Sequence, residues 1–235
     1  MITRTKRQML PRVVKVPRKE YFWGTSARPG KHSRESSVPL LHILRDYLHL
    51  GDKEREITRL LNSGFILIDG KKVKDRRTGV GFMDLVTIVP TSENYRMLYD
   101  QKGRLVLRKE SDKFAGVKFL RVKNKHTIQD GKTQLSFHDG QNTITDADLK
   151  PGDVVTVRLP EKKFEEVLKM QPGSKVFITG GSHVGETATV KKIEVKKSSS
   201  ANLVEMEEGF ETISDYVFVI GSNKFSYELS GEVVK

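Results

Sequence analysis

The sequence predicts a multidomain α+β chain that is mostly β, and three observations carry that expectation. At 235 residues it exceeds one typical domain, so two or three small ones are the natural division. Helical periodicity is confined to residues 39–64, whereas from Leu105 onward short strand-like runs are cut by Asp–Gly and Pro–Gly turns. Charge is also divided unevenly. Of the formal net charge of +12, the first 34 residues hold +9, from ten Lys and Arg against Glu20, while the other 201 hold 32 basic and 29 acidic side chains. A run of one sign repels itself and buries little apolar surface, yet it releases counterions when laid along phosphates, so a polyanion is the expected partner.

The absence of cysteine excludes a disulfide framework, a thiol nucleophile and every Cys-ligated metal site. No apolar run approaches the ~20 residues that span a bilayer, and the basic N-terminus lacks the apolar stretch of a secretory signal. A soluble, intracellular protein is expected.

The first element, residues 1–37, is a basic arm. It carries Arg4, Lys6, Arg7, Arg12, Lys15, Arg18, Lys19, Arg28, Lys31 and Arg34, interleaved with Tyr21, Phe22 and Trp23. A basic tract alone reads equally as a solvated tail, a nuclear-import-like run or a nucleic-acid contact. The aromatic cluster favours contact, because disordered tails are poor in rings, and rings either stack on unpaired bases or pin an arm to a neighbouring core. Pro29, Gly30, Lys31, His32 and Ser33 faintly echo a phosphate-binding loop, but Gly24 stands six residues before Gly30 and His32 replaces the Ser or Thr that magnesium needs. A basic turn on RNA phosphate is the better reading. The ten cations, Trp23 and His32 are therefore the arm's candidate RNA-binding residues.

Pro39 suits a first helical turn, and Leu40, Leu41, Leu44, Tyr47 and Leu48 then recur at helical spacing until Gly51. Asp52 is the expected N-cap of a second helix with Glu54 and Glu56 in its first turn, Ile57, Leu60 and Leu61 facing inward, and Gly64 beyond its end. Next comes FILIDGKKV, where Asp69–Gly70 is the dipeptide of a tight hairpin, and a third strand is expected over Phe82–Val89. Helix, helix, hairpin and strand over residues 38–98 resemble the αL RNA-binding motif. That resemblance implies RNA contact through the second helix and hairpin, and its candidates here are Arg45, Lys53, Arg55, Arg59, Lys71, Lys72, Lys74, Arg76 and Arg77. The bland reading is an ordinary charged surface, since residues 35–99 are only +1. Glu54 departs from the pattern, falling where many members carry a basic residue.

Residues 99–170 read as a central β domain through LVLRK, KFLRVKNKHTI, TQLSFHDGQNTI and DVVTVRLP, with turns at Asp130–Gly131, Asp139–Gly140 and Pro151–Gly152–Asp153. Its charge of +4 permits RNA contact without requiring it. Within residues 171–235, PGSKVFITGGSHVGETATVKKIE resembles a KOW motif: a strand, a glycine turn at Gly180 and Gly181, the pivotal Gly185, and a second strand ending in basic residues. The resemblance implies an SH3-like barrel. At net −2 this stretch suits a protein partner as readily as RNA, and Lys196–Ala201 reads as an exposed loop.

Taken in order, these pieces and the strings SVPLLHILRDYL, GFMDLVTI, ENYRMLYDQKGR, TQLSFHDGQN and FETISDYVFVIG resemble the ribosomal protein S4e family of archaeal and eukaryotic small subunits, from Gly30 to Ile220. The compact length and the FETISDYVFVIG string favour an archaeal member. Membership implies a structural constituent of the small ribosomal subunit that binds ribosomal RNA beside neighbouring ribosomal proteins in the cytoplasm. No membrane, small-molecule substrate or cofactor is expected. The alternative is a free-standing RNA chaperone or translation regulator built from the same modules.

No catalytic constellation emerges. The αL motif also accompanies some RNA-modifying enzymes, but here no alternation of strands and helices supplies a large catalytic domain. His42 and His49 could share a helix face without a third metal ligand, and His138–Asp139 is explained by a turn. Glu165–Glu166 and Glu207–Glu208 are adjacent pairs suited to solvated faces rather than to two differently tuned environments. The expectation is a non-enzyme without metal.

Overall fold

Period-two alternation becomes antiparallel sheet along most of the chain, and the one region of helical periodicity becomes two short helical elements. The computed structural model describes residues 4–128, 131–145, 147–161, 163–197, 200–222, 225, 227 and 233. Asp130 of the expected Asp130–Gly131 turn, and Ser198 and Ser199 of the expected loop, lie outside the described residues. The chain gathers into two units: residues 1–118 with 159–161 and 230–235, and residues 119–158 with 162–229.

In the first unit the basic arm forms a two-stranded ribbon, β1 (Arg4–Lys6) and β2 (Trp23–Thr25), that pairs Lys6 opposite Trp23. Gly24 is required there, because a Cβ would come within 2.9 Å of Leu10 Cδ1. Leu10, Val14 and Val16 are buried, so the segment is packed rather than free. β3 (Ser37–Pro39) leads into α1 (Leu40–His42) and a wider π turn over Ile43–Tyr47, in which the Leu48 amide donates to the Ile43 carbonyl at 3.0 Å. The first-turn amides of Leu40 and Leu41 donate to the Thr78 and Arg76 carbonyls, each at 2.9 Å.

α2 (Glu54–Asn62) begins one residue later than expected. Lys53, not Asp52, is its N-cap, because the Glu56 carboxylate reaches back to accept from the amides of Asp52 (3.0 Å) and Lys53 (3.1 Å). Those bonds hold the Glu56 carboxyl below its ordinary value. Ile57 and Leu61 are buried, and Gly64 (φ 72°) follows the helix end.

The Asp69–Gly70 hairpin joins β4 (Ile66–Ile68) to β5 (Lys71–Lys72), with both turn residues left-handed at φ 51° and 74°. Of the strand expected over Phe82–Val89 the fold keeps β7 (Leu85–Ile88), and a separate strand, β6 (Gly79–Gly81), precedes it. Met83 at φ 64° turns the chain between them, and the Asp84 carboxylate accepts the Gly81 amide at 2.9 Å. β6 pairs with β3, while β7 continues through β8 (Glu93–Tyr99) to β9 (Leu105–Lys109) in a sheet of order β5-β4-β7-β8-β9. Leu40, Leu44, Ile57 and Leu61 of the helical elements and Ile66, Val86 and Met97 of the sheet are among the unit's buried residues.

The chain passes to the second unit within β10 (Val117–Thr127). With β11 (Thr133–Phe137), β12 (Asn142–Ile144), β13 (Val154–Arg158) and β14 (Lys163–Leu168) it forms a sheet of order β12-β11-β10-β13-β14 over Leu120, Val122, Leu135, Phe137, Leu149, Val155 and Val157. The second sheet joins β15 (Lys175–Ile178), β16 (Thr187–Glu194), β17 (Leu203–Met206), β18 (Glu211–Ile213) and β19 (Val217–Gly221) in the order β18-β17-β16-β15-β19. Between β15 and β16, Gly181 and Gly185 both lie at φ 85°. A Cβ on Gly180 would fall 2.7 Å from the Tyr216 ring.

Candidate nucleic-acid interface

The basic residues of the first unit sort by what their charge meets inside the fold. Arg7 is buried. Its Nη2 donates to Asp46 Oδ1 at 3.2 Å, and its guanidinium lies 5.1 Å from the centre of the Tyr21 ring. Asp46 stands on the π turn and also receives Arg45 Nη2 at 3.0 Å and His42 Nδ1 at 2.6 Å. Because His42 Nε2 accepts the Thr25 amide at 3.3 Å, the ring proton sits on Nδ1 and is donated to Asp46. Burial alone would raise the Asp46 carboxyl, but the hydrogen bonds from His42 and Arg45, with the Arg45 charge, outweigh it and hold the group at about 2. This knot ties both strands of the ribbon to the helical element.

A second buried cluster fixes the PGKHS turn. Lys118 is buried and donates to Asp69 Oδ2 and Asp84 Oδ1, each at 2.6 Å. Lys31 also reaches Asp69 Oδ2 at 2.6 Å, and buried His32 bonds Asp84 Oδ2 through Nε2 at 2.8 Å. Asp84 lies in full burial, which would raise its carboxyl, yet the Lys118 and His32 charges hold it well below the ordinary value. The turn that echoed a phosphate loop thus spends its lysine and histidine on carboxylates of its own unit. His32 and Arg7 were both expected on RNA. Both are buried and bonded inside the unit, as a charged or polar group removed from water finds its partners in the fold.

Arg18 is also turned inward, capping the carbonyls of Gln8 (3.1 Å), Leu10 (2.6 Å) and Pro11 (2.9 Å), and the Lys15 amide donates to Tyr47 Oη at 2.8 Å. Arg77 holds the Ser26 carbonyl through Nε at 3.3 Å. The outer cations are Arg4, Lys6, Arg12, Lys19, Arg28, Arg34, Lys53, Arg55, Arg59, Lys71, Lys72 and Lys74, all exposed. Arg28 meets Asp75 at 3.2 Å on the surface.

Two clefts collect these side chains. Arg4, Arg55, Arg59 and Arg76 line one of 490 Å³ with Thr58 and Glu54. Glu54 pairs with Arg76 and lies 3.9 Å from Arg4, so the acid that departs from the basic pattern holds two arginines beside the two from α2. The other, 310 Å³, lies between the Arg28–His32 turn and Lys71, Lys72 and Val73 of the hairpin. The rings Tyr21, Phe22 and Trp23 stand exposed beside the ribbon. Of the three, only Trp23 was named among the candidate contacts, although the whole cluster favoured contact. The adjacency of Tyr21 and Phe22 to Trp23 was the available signal.

The histidines weighed as possible ligands are separated by the fold. His42 is buried on Asp46, whereas His49 is exposed past the helical turn at φ 50°. His138 Nδ1 accepts the Arg121 amide at 3.1 Å, and Asp139 accepts the Gln141 amide at 3.0 Å within its turn. Among the described residues, no group of three or more His, Asp or Glu is placed to hold a metal ion. Among them, too, no helix is long and apolar enough to cross a membrane.

Comparison with known proteins adds a family. The model of ribosomal family S4e matches residues 91–164. The small ribosomal subunit protein eS4 of Thermoplasma volcanium is 56% identical over 235 residues, covering 99% of each chain. That of Picrophilus torridus is 52% identical over 97% of each. The crystal structure of the 30S ribosomal protein S4e from Thermoplasma acidophilum, 49% identical, superposes with a TM-score of 0.73 over 81% of this chain and 98% of that one.

Proposed function

From the premise that this chain belongs to the ribosomal S4e family, as an archaeal member, we infer that it is a structural constituent of the small ribosomal subunit, binding ribosomal RNA to support translation. It is not an enzyme. The observation that carries the reading is similarity along the whole chain, 99% of it, to a small-subunit protein, rather than to one shared module. Its partners are small-subunit ribosomal RNA and neighbouring ribosomal proteins, and its place is the cytoplasmic ribosome.

Within that reading, residues 1–37 serve as a basic extension, 38–98 as an αL RNA-binding module, 99–170 as a central β module and 171–235 as a KOW-bearing SH3-like module. The left-handed Gly185 between two strands supports the last assignment. The proposed RNA contacts are the exposed cations of the arm, α2 and the hairpin, with Arg76 and Trp23. Arg7, Arg18 and His32 position that surface from within. Recognition is by charge and shape, since A-form RNA withdraws most base edges into a deep, narrow groove.

Sedimentation tests this. The protein is expected to track the small subunit at near-stoichiometric amount after a moderate salt wash. Recovery mainly in light fractions would favour a free-standing chaperone or regulator.

A further inference from the structure

Resting on the RNA-binding reading and deepening it, we propose that Tyr21, Phe22 and Trp23 form a stacking platform for unpaired RNA bases. Three adjacent rings are 64%, 62% and 55% exposed, which is unusual for side chains that folding normally buries. They are also held in place. Arg7 lies against the Tyr21 ring, its amide donates to the Phe22 carbonyl at 2.8 Å, and Phe22 meets Trp23 edge-on at 4.8 Å between centroids. Asp46 fixes Arg7 in turn. A platform that is already ordered loses little rotamer freedom when a ligand arrives.

Charge selects the occupant. Lys6 stands directly opposite Trp23 in the ribbon, with its ammonium 5.6 Å from the centre of the Phe22 ring, and Arg4 shares that face two residues earlier. Glu20 is the one acid among residues 1–34. Rings for base faces set beside cations for the backbone are the chemistry of single-strand binding, which a duplex with its bases stacked inside cannot use.

Trp23 is the chain's sole tryptophan, so its emission reports this site alone. The full-length, unsubstituted protein is titrated with an unstructured single-stranded RNA 12-mer and separately with a duplex of equal length, and labelled-RNA polarisation is followed in parallel. Saturable quenching by the single strand, absent with the duplex, is the expected result. Tyr21→Ala and Phe22→Ala should each weaken single-strand binding by roughly 5- to 140-fold, leave duplex binding nearly unchanged, and be rescued by Tyr21→Phe and Phe22→Tyr. Polarisation that reports binding while Trp23 emission stays constant, or alanine variants that weaken both RNAs alike, would overturn the platform and leave the RNA-binding reading intact. A Trp23 response only to proteins stripped from the small subunit would assign the rings to a protein partner and overturn it as well. Failure of both RNAs to bind would remove the broader reading too.

Discussion

Asp46 shows how one carboxylate decides which arm cations are available to RNA. It gathers Arg7, His42 and Arg45, and its held-down acidity is a measure of what those partners contribute. The folded group titrates at about 2 and the unfolded one near ~3.9, so its stabilisation, about 2–3 kcal/mol, is fully present above roughly pH 4 and is lost as pH falls through about 2. Asp46→Asn should lower stability at pH 7 by about that amount and flatten the loss between pH 5 and 2, as read by urea melts at each pH. Glu54 acts in the opposite sense, by neutralising surface charge. Freed from it, Arg4 and Arg76 would both face solvent. Glu54→Gln should therefore tighten binding to unrelated RNA and steepen its salt slope, by up to ~0.7–0.9 for each additional phosphate neutralised. A slope equal to that of the parent protein would argue against the pairing's role.

At the scale of elements, the basic arm is a folded ribbon, and that changes how its role is tested. Removing residues 1–34 would strip Leu10, Val14 and Val16 from the core along with the charge. Replacing only the exposed Arg4, Lys6, Arg12 and Lys19 with Gln keeps the packing. Filter binding to small-subunit RNA should then show a salt slope shallower by about 3 if all four meet phosphate. The hairpin, α2 and the succession of short strands were legible because each has a local signature: Asp–Gly at a left-handed turn, apolar spacing at 3.6, alternation at 2. The break between β6 and β7 was not, because it follows from Met83 turning left-handed and Asp84 folding back on Gly81, a choice made by tertiary contacts. Likewise the roster of cations could be read from the sequence, but which of them point inward could not. Arg7 and Arg12 look alike in a string, and only the placement of Asp46, 39 residues beyond Arg7, separates them.

On the scale of the whole molecule, the second unit has a hydrophobic cluster made of its own residues, and damage to that cluster should be read out there first. Leu135→Ala, which opens the β10–β11 core, should cost about 2–5 kcal/mol and lower amide-exchange protection in the second unit while sparing α2 and β7. The first unit contains a different kind of dependence. Its Asp69 and Asp84 are in place early, but the ammonium that both share belongs to Lys118, 34 residues after Asp84. During synthesis at ~5–20 residues per second, roughly 2 to 7 s separate the making of Asp84 from that of Lys118. For that interval the nascent chain has the residues of its hairpin and α2 without the Lys118 ammonium that the two carboxylates share. The strand leading into the second unit thus also completes this cluster of the first, and the order in which the chain is made becomes an order in which the cluster can close.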